Sequence, residues 1–227
     1  MEEIKYNVVF ARRRSISIIV RPDKSVTVRA PLRMPLSTIE KFVKSKSSWI
    51  KKHIDSDPSI KLSNNGKKYT GGEVHLYLGK EYILRKIVSS DPFVKLNESS
   101  IEVGQIDIAD NLRTKYLVES WYIRKALEVL SEKVKEILRK YNEYGFRPTG
   151  FVIRPMKTRW GTCTSKAKIT LNSELVKLDQ IFIEYVIIHE LCHLKVPTHG
   201  ADFYRLLAEI IPDYKSIRKE MRKYTTK

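Results

Sequence analysis

Two histidines four residues apart in an apolar run constrain this chain more than any other feature of its sequence. The run covers residues 187–194, and its apolar composition predicts a buried helix. Side chains at positions i and i+4 share one face of a helix, so His189 and His193 can hold one metal ion. Glu190 lies about 100° further around that helix, where it can reach a water molecule on the metal. This H-E-x-x-H pattern is typical of zinc hydrolases.

A third histidine follows the run and completes a possible ligand set. Catalytic zinc sites commonly have three protein ligands and one open position. His199 lies six residues beyond His193 and after the helix breaker Pro197, so we predict that it is the third ligand. If His199 does not reach the ion, Asp202 or Glu209 is the next candidate. The alternative interpretation is a pair of core histidines without a metal, because a short pattern also arises by chance.

The length and composition predict a globular protein without a membrane span. A chain of 227 residues with 42% hydrophobic residues can form one large or two small domains. Its apolar runs fall short of the roughly 20 residues that a membrane helix needs. Residues 1–5 lack the pattern of a signal peptide, so we expect a cytoplasmic protein with no membrane partner. Cys163 and Cys192 are too few for a disulfide scaffold, although a single bridge between them is an alternative.

The net charge of +17 is high for a cytosolic enzyme. Such a charge favours encounters with nucleic acid, acidic membranes, phosphorylated ligands or acidic proteins. A Lys-rich composition adapted to heat would produce the same charge. The charge alone therefore does not predict nucleic-acid binding.

The fold predicted from the patterns is α+β, with residues 1–108 forming a mostly antiparallel β region that contains one helix. Alternating polar and apolar residues predict a hairpin over 15–30. The helix begins with Ser37 as N-cap and Glu40 three residues later, a capping box, and continues to about residue 54. Two further hairpins are predicted over 74–88 and 93–103.

Residues 109–227 are predicted to form a second, mainly helical domain with a small sheet. Its longest element is a helix over 111–142 with a broad apolar face that includes Leu112, Tyr116 and Trp121. A polar segment over 156–165 predicts a turn or bulge. The other predicted elements are strands over 150–154 and 169–172, a helix with Asp179 as N-cap that runs to about Lys195, a helix over 201–211 and a basic tail over 215–227.

Two segments together resemble the YgjP-like family (DUF45) of metal-dependent hydrolases, which is related to the SprT-like zinc peptidases. The first is the metal helix with His199 after it. The second is Thr158-Arg159-Trp160-Gly161-Thr162-Cys163 with Ile169-Thr170-Leu171-Asn172, which looks like the family's R-W-G-S-C and following L-N segments. A weaker similarity extends over the N-terminal β region, including residues 78–82, so the resemblance covers nearly the whole chain. The H-E-x-x-H pattern alone is not specific, whereas both segments in this order are.

The resemblance implies a zincin-like core, with the strand after Arg159-Trp160-Gly161 beside the metal helix. It implies that His189, His193 and His199 bind one Zn2+ ion and that Glu190 is the catalytic base. The chain departs from the family at Thr162, which replaces a Ser. The histidine spacing also equals that of metzincins, but Val196 stands where those have Gly, so the turn must form differently.

Three functions follow as hypotheses. The first is a zinc metallopeptidase that acts on a protein or peptide, in which Glu190 activates a metal-bound water. Arg159, Trp160 and Tyr204 are candidates for substrate or oxyanion contacts. The second is a nucleoside triphosphate pyrophosphatase, an activity proposed for members of the family. The third is an SprT-like protease that trims proteins on nucleic acid. The net charge of +17 is compatible with a nucleotide or nucleic acid as a partner.

Overall fold

The computed structural model describes residues 5–12, 15–20, 25–54, 60–61 and 66–225. Contacts between Cα atoms divide the chain into two compact units, Met1–Ser59 and Ile60–Lys227. The sequence placed the division after residue 108 instead. Residues 66–108 belong to the second unit because their strands share one apolar core with its longest helix. Leu84 and Val103 on the sheet side and Val118 and Trp121 on the helix side are all buried in that core.

The first unit contains a three-stranded sheet of β1 (Asn7–Ala11), β2 (Ser17–Val20) and β3 (Val26–Pro31). The strand order is β1-β3-β2. The antiparallel pairing of β2 with β3 confirms the predicted hairpin, whose turn residues 21–24 lie outside the described residues. The parallel pairing of β1 with β3 differs from the expected antiparallel arrangement.

Two helices, α1 (Leu36–Ser45) and α2 (Ser47–Ile54), replace the single helix predicted in the first unit. The helix is interrupted at Lys46. Next to this residue, the hydroxyl of Ser45 donates to the carbonyl of Phe42 at 2.8 Å and competes with the helical hydrogen bonds. The capping box at Ser37 is also wrong. Pro35 occupies the N-cap position without a side-chain cap, so Ser37 already lies inside the first turn.

The second unit contains a four-stranded sheet in the order β5-β6-β8-β7. Its strands are β5 (Val74–Tyr77), β6 (Lys80–Val88), β7 (Phe93–Leu96) and β8 (Ser100–Gln105). Both predicted hairpins are confirmed as antiparallel pairs. A parallel pairing of β6 with β8 joins them.

Helix α3 (Asn111–Lys140) confirms the longest predicted helix. The carboxylate of Asp110 caps it by accepting from the Arg113 backbone N–H at 2.8 Å. The buried face is partly different from the predicted one, because Leu112 and Tyr116 are exposed. The residues that α3 buries are Thr114, Val118, Trp121, Tyr122, Ala126, Leu130, Val134 and Ile137.

A three-stranded sheet follows α3, in the order β10-β11-β9. Its strands are β9 (Gly150–Arg154), β10 (Gly161–Cys163) and β11 (Lys168–Asn172). The segment predicted as a turn or bulge thus contains β10, an edge strand that pairs antiparallel with β11.

The chain then forms α4 (Gln180–Cys192), α5 (Ala201–Ile210) and α6 (Tyr214–Met221). Asp179 caps α4 as predicted, but α4 ends at Cys192 rather than near Lys195. The basic tail comprises α6 and β12 (Tyr224–Thr225), which pairs with β4 (Ile60–Lys61). Among the described residues, no helix has the length and apolar character to cross a membrane.

Candidate metal centre

Three imidazoles converge at the end of α4. The Nε2 atom of His199 lies 3.0 Å from Nε2 of His189 and 3.1 Å from Nε2 of His193. One ligand atom from each of the three lies within 4.8 Å of the others. Two ligands at a tetrahedral zinc ion lie about 3.3 Å apart when each bond is about 2.05 Å. The three nitrogens therefore have the spacing of a metal ligand set.

The local backbone places these rings. His189 and His193 are one helical turn apart at the end of α4, and His199 returns from the segment between α4 and α5. Among the described residues, Val196 is not one of the non-glycine residues with a positive φ. The turn that brings His199 back to the cluster therefore needs no left-handed backbone at position 196. Phe203 on α5 is fully buried and lies 4.6–4.9 Å, between ring centroids, from all three imidazoles.

The surroundings favour neutral imidazoles that can bind a cation. Burial, together with the charges of His193 and His199, lowers the pKa of His189 to about 3. Burial also lowers the pKa of His199. Nδ1 of His193 lies 3.2 Å from the Val196 carbonyl; when it donates there, Nε2 keeps its lone pair for a metal. The residues present therefore fit a divalent ion with imidazole ligands.

Glu190 lies beside the cluster and against β10. Its side chain is 6% exposed. A Cβ atom on Gly161 would come within 2.7 Å of the Cγ and Oε1 atoms of Glu190, so the carboxyl group occupies the space above a glycine. Burial raises the pKa of Glu190 to about 7, while the positive charge of Arg159 opposes this rise. A carboxyl group with such a pKa can accept and return a proton near neutral pH.

Asn172 organises the segment that carries Arg159 and Gly161, and the sequence did not reveal this role. Its buried amide donates to the Met156 carbonyl and the Arg159 carbonyl, each at 2.9 Å. Its oxygen accepts from the backbone N–H groups of Met156 and Glu174 at 3.2 and 3.1 Å. The sequence signal for this role was a polar residue at the end of an apolar strand that follows the R-W-G segment.

The other predicted residues have distinct positions. Arg159 and Trp160 line a cavity next to Glu190. The ring of Tyr204 lies 6.2 Å from that of His199, and its hydroxyl accepts from Arg218 at 3.1 Å. The reserve ligands do not join the cluster. Asp202 pairs with Arg205 at 2.6 Å, and Glu209 accepts from the Tyr144 hydroxyl at 3.0 Å.

Both cysteines are free thiols, so the alternative of a disulfide is not realised. Burial raises the pKa of Cys192 to about 12 and also raises that of Cys163. Such thiols are poor nucleophiles and poor metal ligands near neutral pH.

A cavity of about 630 Å³ opens over the histidine cluster. The edge strand β10 and the segment after it line this cavity with Thr162, Thr164 and Ser165. The three histidines and Glu190 line it as well. An extended chain lying along β10 would pass beside the histidine nitrogens and the carboxyl group.

Comparison with known proteins identifies the family. A sequence profile of the YgjP-like metallopeptidase domain matches residues 14–224. The chain belongs to the YgjP-like family. Because the matched domain is a metallopeptidase domain, the protein is a metal-dependent peptidase. The resemblance predicted from the two sequence segments is therefore confirmed. A search of curated proteins finds no match.

Two solved structures are similar to part of this YgjP-like chain. One is the metallopeptidase zymogen jannalysin of Methanocaldococcus jannaschii, with 26% identity, 41% of this chain and 94% of that chain covered, and a TM-score of 0.36. The other is the metallopeptidase zymogen abylysin of Pyrococcus abyssi, with 31% identity, 42% and 92% covered, and a TM-score of 0.34. Because the TM-scores are low, the family assignment rests on the profile match.

Proposed function

We propose that this YgjP-like protein is a zinc-dependent, zincin-like metallopeptidase in which Glu190 is the general base. The observation that carries the proposal is the convergence of three imidazole nitrogens beside a buried carboxyl group. His189, His193 and His199 would hold the ion through Nε2. Zinc bound in this way supplies Lewis acidity and lowers the pKa of a coordinated water.

The residues of the chain would divide the remaining work. Glu190 takes a proton from the attacking water and delivers it to the departing amine, a role that its buried position beside the histidine cluster supports. The Gly161 Cα lets this carboxyl group lie close to β10, where an extended substrate can add as a further strand. Arg159 is the candidate donor to the oxyanion, because it lines both cavities next to Glu190.

Elemental analysis with a cleavage assay tests the proposal. We expect one zinc per chain in the purified protein, and cleavage of an unfolded protein such as reduced casein that a chelator abolishes and zinc restores. His199→Ala should lose both the metal and the activity. Asp202→Asn and Glu209→Gln are matched controls at residues outside the cluster and should keep both. Retention of stoichiometric zinc by His199→Ala would refute the ligand set.

A further inference from the structure

A second cavity of about 350 Å³ adjoins the histidine cluster. It shares Arg159, Gly161, His189 and Glu190 with the larger cavity. The two cavities therefore meet at the proposed reacting centre. A substrate bound across this centre places the residues on one side of its scissile bond along β10 and those on the other side in the second cavity.

The two cavities differ in charge. Three arginines line the second cavity: Arg159 before β10, Arg218 on α6 and Arg222 just after α6. None of these guanidinium groups forms an ion pair with a carboxylate in the part of the chain that the structure describes. Of these three arginines, only Arg159 also lines the larger cavity, which has hydroxyl groups on Thr162, Thr164 and Ser165. The second cavity thus concentrates positive charge next to the reacting centre.

Arg218 is held in place by neighbouring aromatic residues. It donates to the Tyr204 hydroxyl at 3.1 Å, and its guanidinium carbon lies 5.6 Å from the centroid of the same ring. The Tyr204 ring stacks on Tyr214 at 5.7 Å with an angle of 17° between the planes. A guanidinium group has five N–H donors, so Arg218 can bind an anion while it keeps this bond.

We infer that the cavity lined by Arg159, Arg218 and Arg222 is a substrate subsite for the side-chain carboxylate of an Asp or Glu residue beside the scissile peptide bond. Arginine binds carboxylates through paired N–H donors, and such bonds are strong where water is partly excluded. Apolar atoms of Val186 and Met221 also line the cavity and can pack against the methylene groups of a Glu side chain. A Lys in this position would be repelled.

The inference rests on the proposed peptidase activity, and peptide substrates test it directly. Fluorogenic peptides that share one sequence carry Glu, Gln, Ala or Lys at each position flanking the cleaved bond, and mass spectrometry locates the cleavage. At one flanking position, we expect kcat/KM for Glu to exceed that for Gln by about tenfold and that for Lys by more. Equal values for Glu, Gln and Lys at every position would overturn the inference.

Charge reversal then assigns the preference to the arginines. Arg218→Glu and Arg222→Glu should each abolish the preference for Glu and raise kcat/KM for the Lys peptide, with zinc content unchanged. Arg139→Glu changes the net charge equally at a residue on α3 that is 76% exposed and outside the cavity, and it should keep the preference. A preference that survives both reversals would contradict the subsite.

The control outcomes separate this inference from the proposed function. If the zinc-loaded protein cleaves no peptide and no unfolded protein, the peptidase proposal itself fails. If the same preparation hydrolyses nucleoside triphosphates, and Arg218→Glu abolishes that hydrolysis, the cavity binds phosphate and the carboxylate subsite is refuted. Peptide cleavage without an acidic preference refutes the subsite alone.

Discussion

The side chain of Glu190 occupies the space in which any other residue in place of Gly161 would carry its Cβ atom. A Cβ atom there would lie 2.7 Å from both Cγ and Oε1 of Glu190, well inside van der Waals contact. The edge strand β10 and helix α4 therefore approach each other closely beside the histidine cluster. This contact fixes where the proposed base stands relative to a substrate on β10.

Gly161→Ala should displace Glu190 and reduce kcat/KM by about a hundredfold, because a shift of about 1 Å at a catalytic group costs on that order. Zinc content should stay at the wild-type level, since Gly161 contacts the carboxyl group and not the histidines. Gly150→Ala on β9 is the matched control, because a Cβ atom there meets nothing within 4 Å. Wild-type kinetics in Gly161→Ala would show that the close approach is not needed.

Asn172→Asp should destabilise the second unit and impair cleavage. The substitution removes two amide donors and places a carboxylate against the carbonyls of Met156 and Arg159. Each unsatisfied buried group costs about 1–3 kcal/mol, so we expect the free energy of unfolding in urea to fall by several kcal/mol. Asn97→Asp, in the β7–β8 turn, should change it by less than about 0.5 kcal/mol. Equal effects of the two substitutions would argue against the role of Asn172.

The stability of the apoprotein should fall in acid because of His75. This ring is 1% exposed and lies between Tyr69 and Tyr122. Burial and the charge of Lys67 lower its pKa from 6.5 to about 4, although Glu73 opposes the shift. Because the folded pKa is depressed, the unfolded chain takes up the proton first. The contribution of the neutral His75 ring to the free energy of unfolding is therefore present above pH 6.5 and is lost as the pH falls toward 4.

His75→Phe isolates this contribution. Urea unfolding is measured at pH 7 and pH 5 in the presence of a chelator, for the wild type and the variant. The wild type should lose up to about 2 kcal/mol more than the variant between these two pH values, since one pKa unit corresponds to about 1.4 kcal/mol. Identical pH dependence in the two proteins would show that His75 is not the titrating group.

The sequence predicted the grouping of the three histidines better than it predicted the packing around them. Spacing alone placed His189 and His193 on one helix face. The helix breaker Pro197 indicated that the helix ends before His199, which can then turn back toward them. Both patterns are local, so they can be seen along the chain. The second cavity depends on contacts between distant segments, since Arg159 and Arg218 lie on different elements. No periodicity connects such residues.

The errors in the predicted fold have the same origin. The boundary after residue 108 followed the change from strands to helices, but the β5–β8 sheet buries Leu84 and Ile101 in the core that it shares with α3. Leu112 and Tyr116 on α3 are exposed, although they were predicted to be buried. An apolar residue type alone does not show which face of a helix packs against the core. Hairpins, which depend on residues close together in the chain, were predicted more successfully.

The measurement that tests the central claim most directly is cleavage by Glu190→Gln, with bound zinc quantified in the same preparation. The amide has the size of the carboxyl group but cannot take up a proton from water, and general-base catalysis typically contributes 10²–10⁴-fold in rate. We predict a loss of about 10³-fold in kcat with one zinc still bound per chain and an unchanged unfolding temperature of the second unit. Cleavage within a few fold of the wild type, with zinc retained, would contradict the assignment of Glu190 as the base.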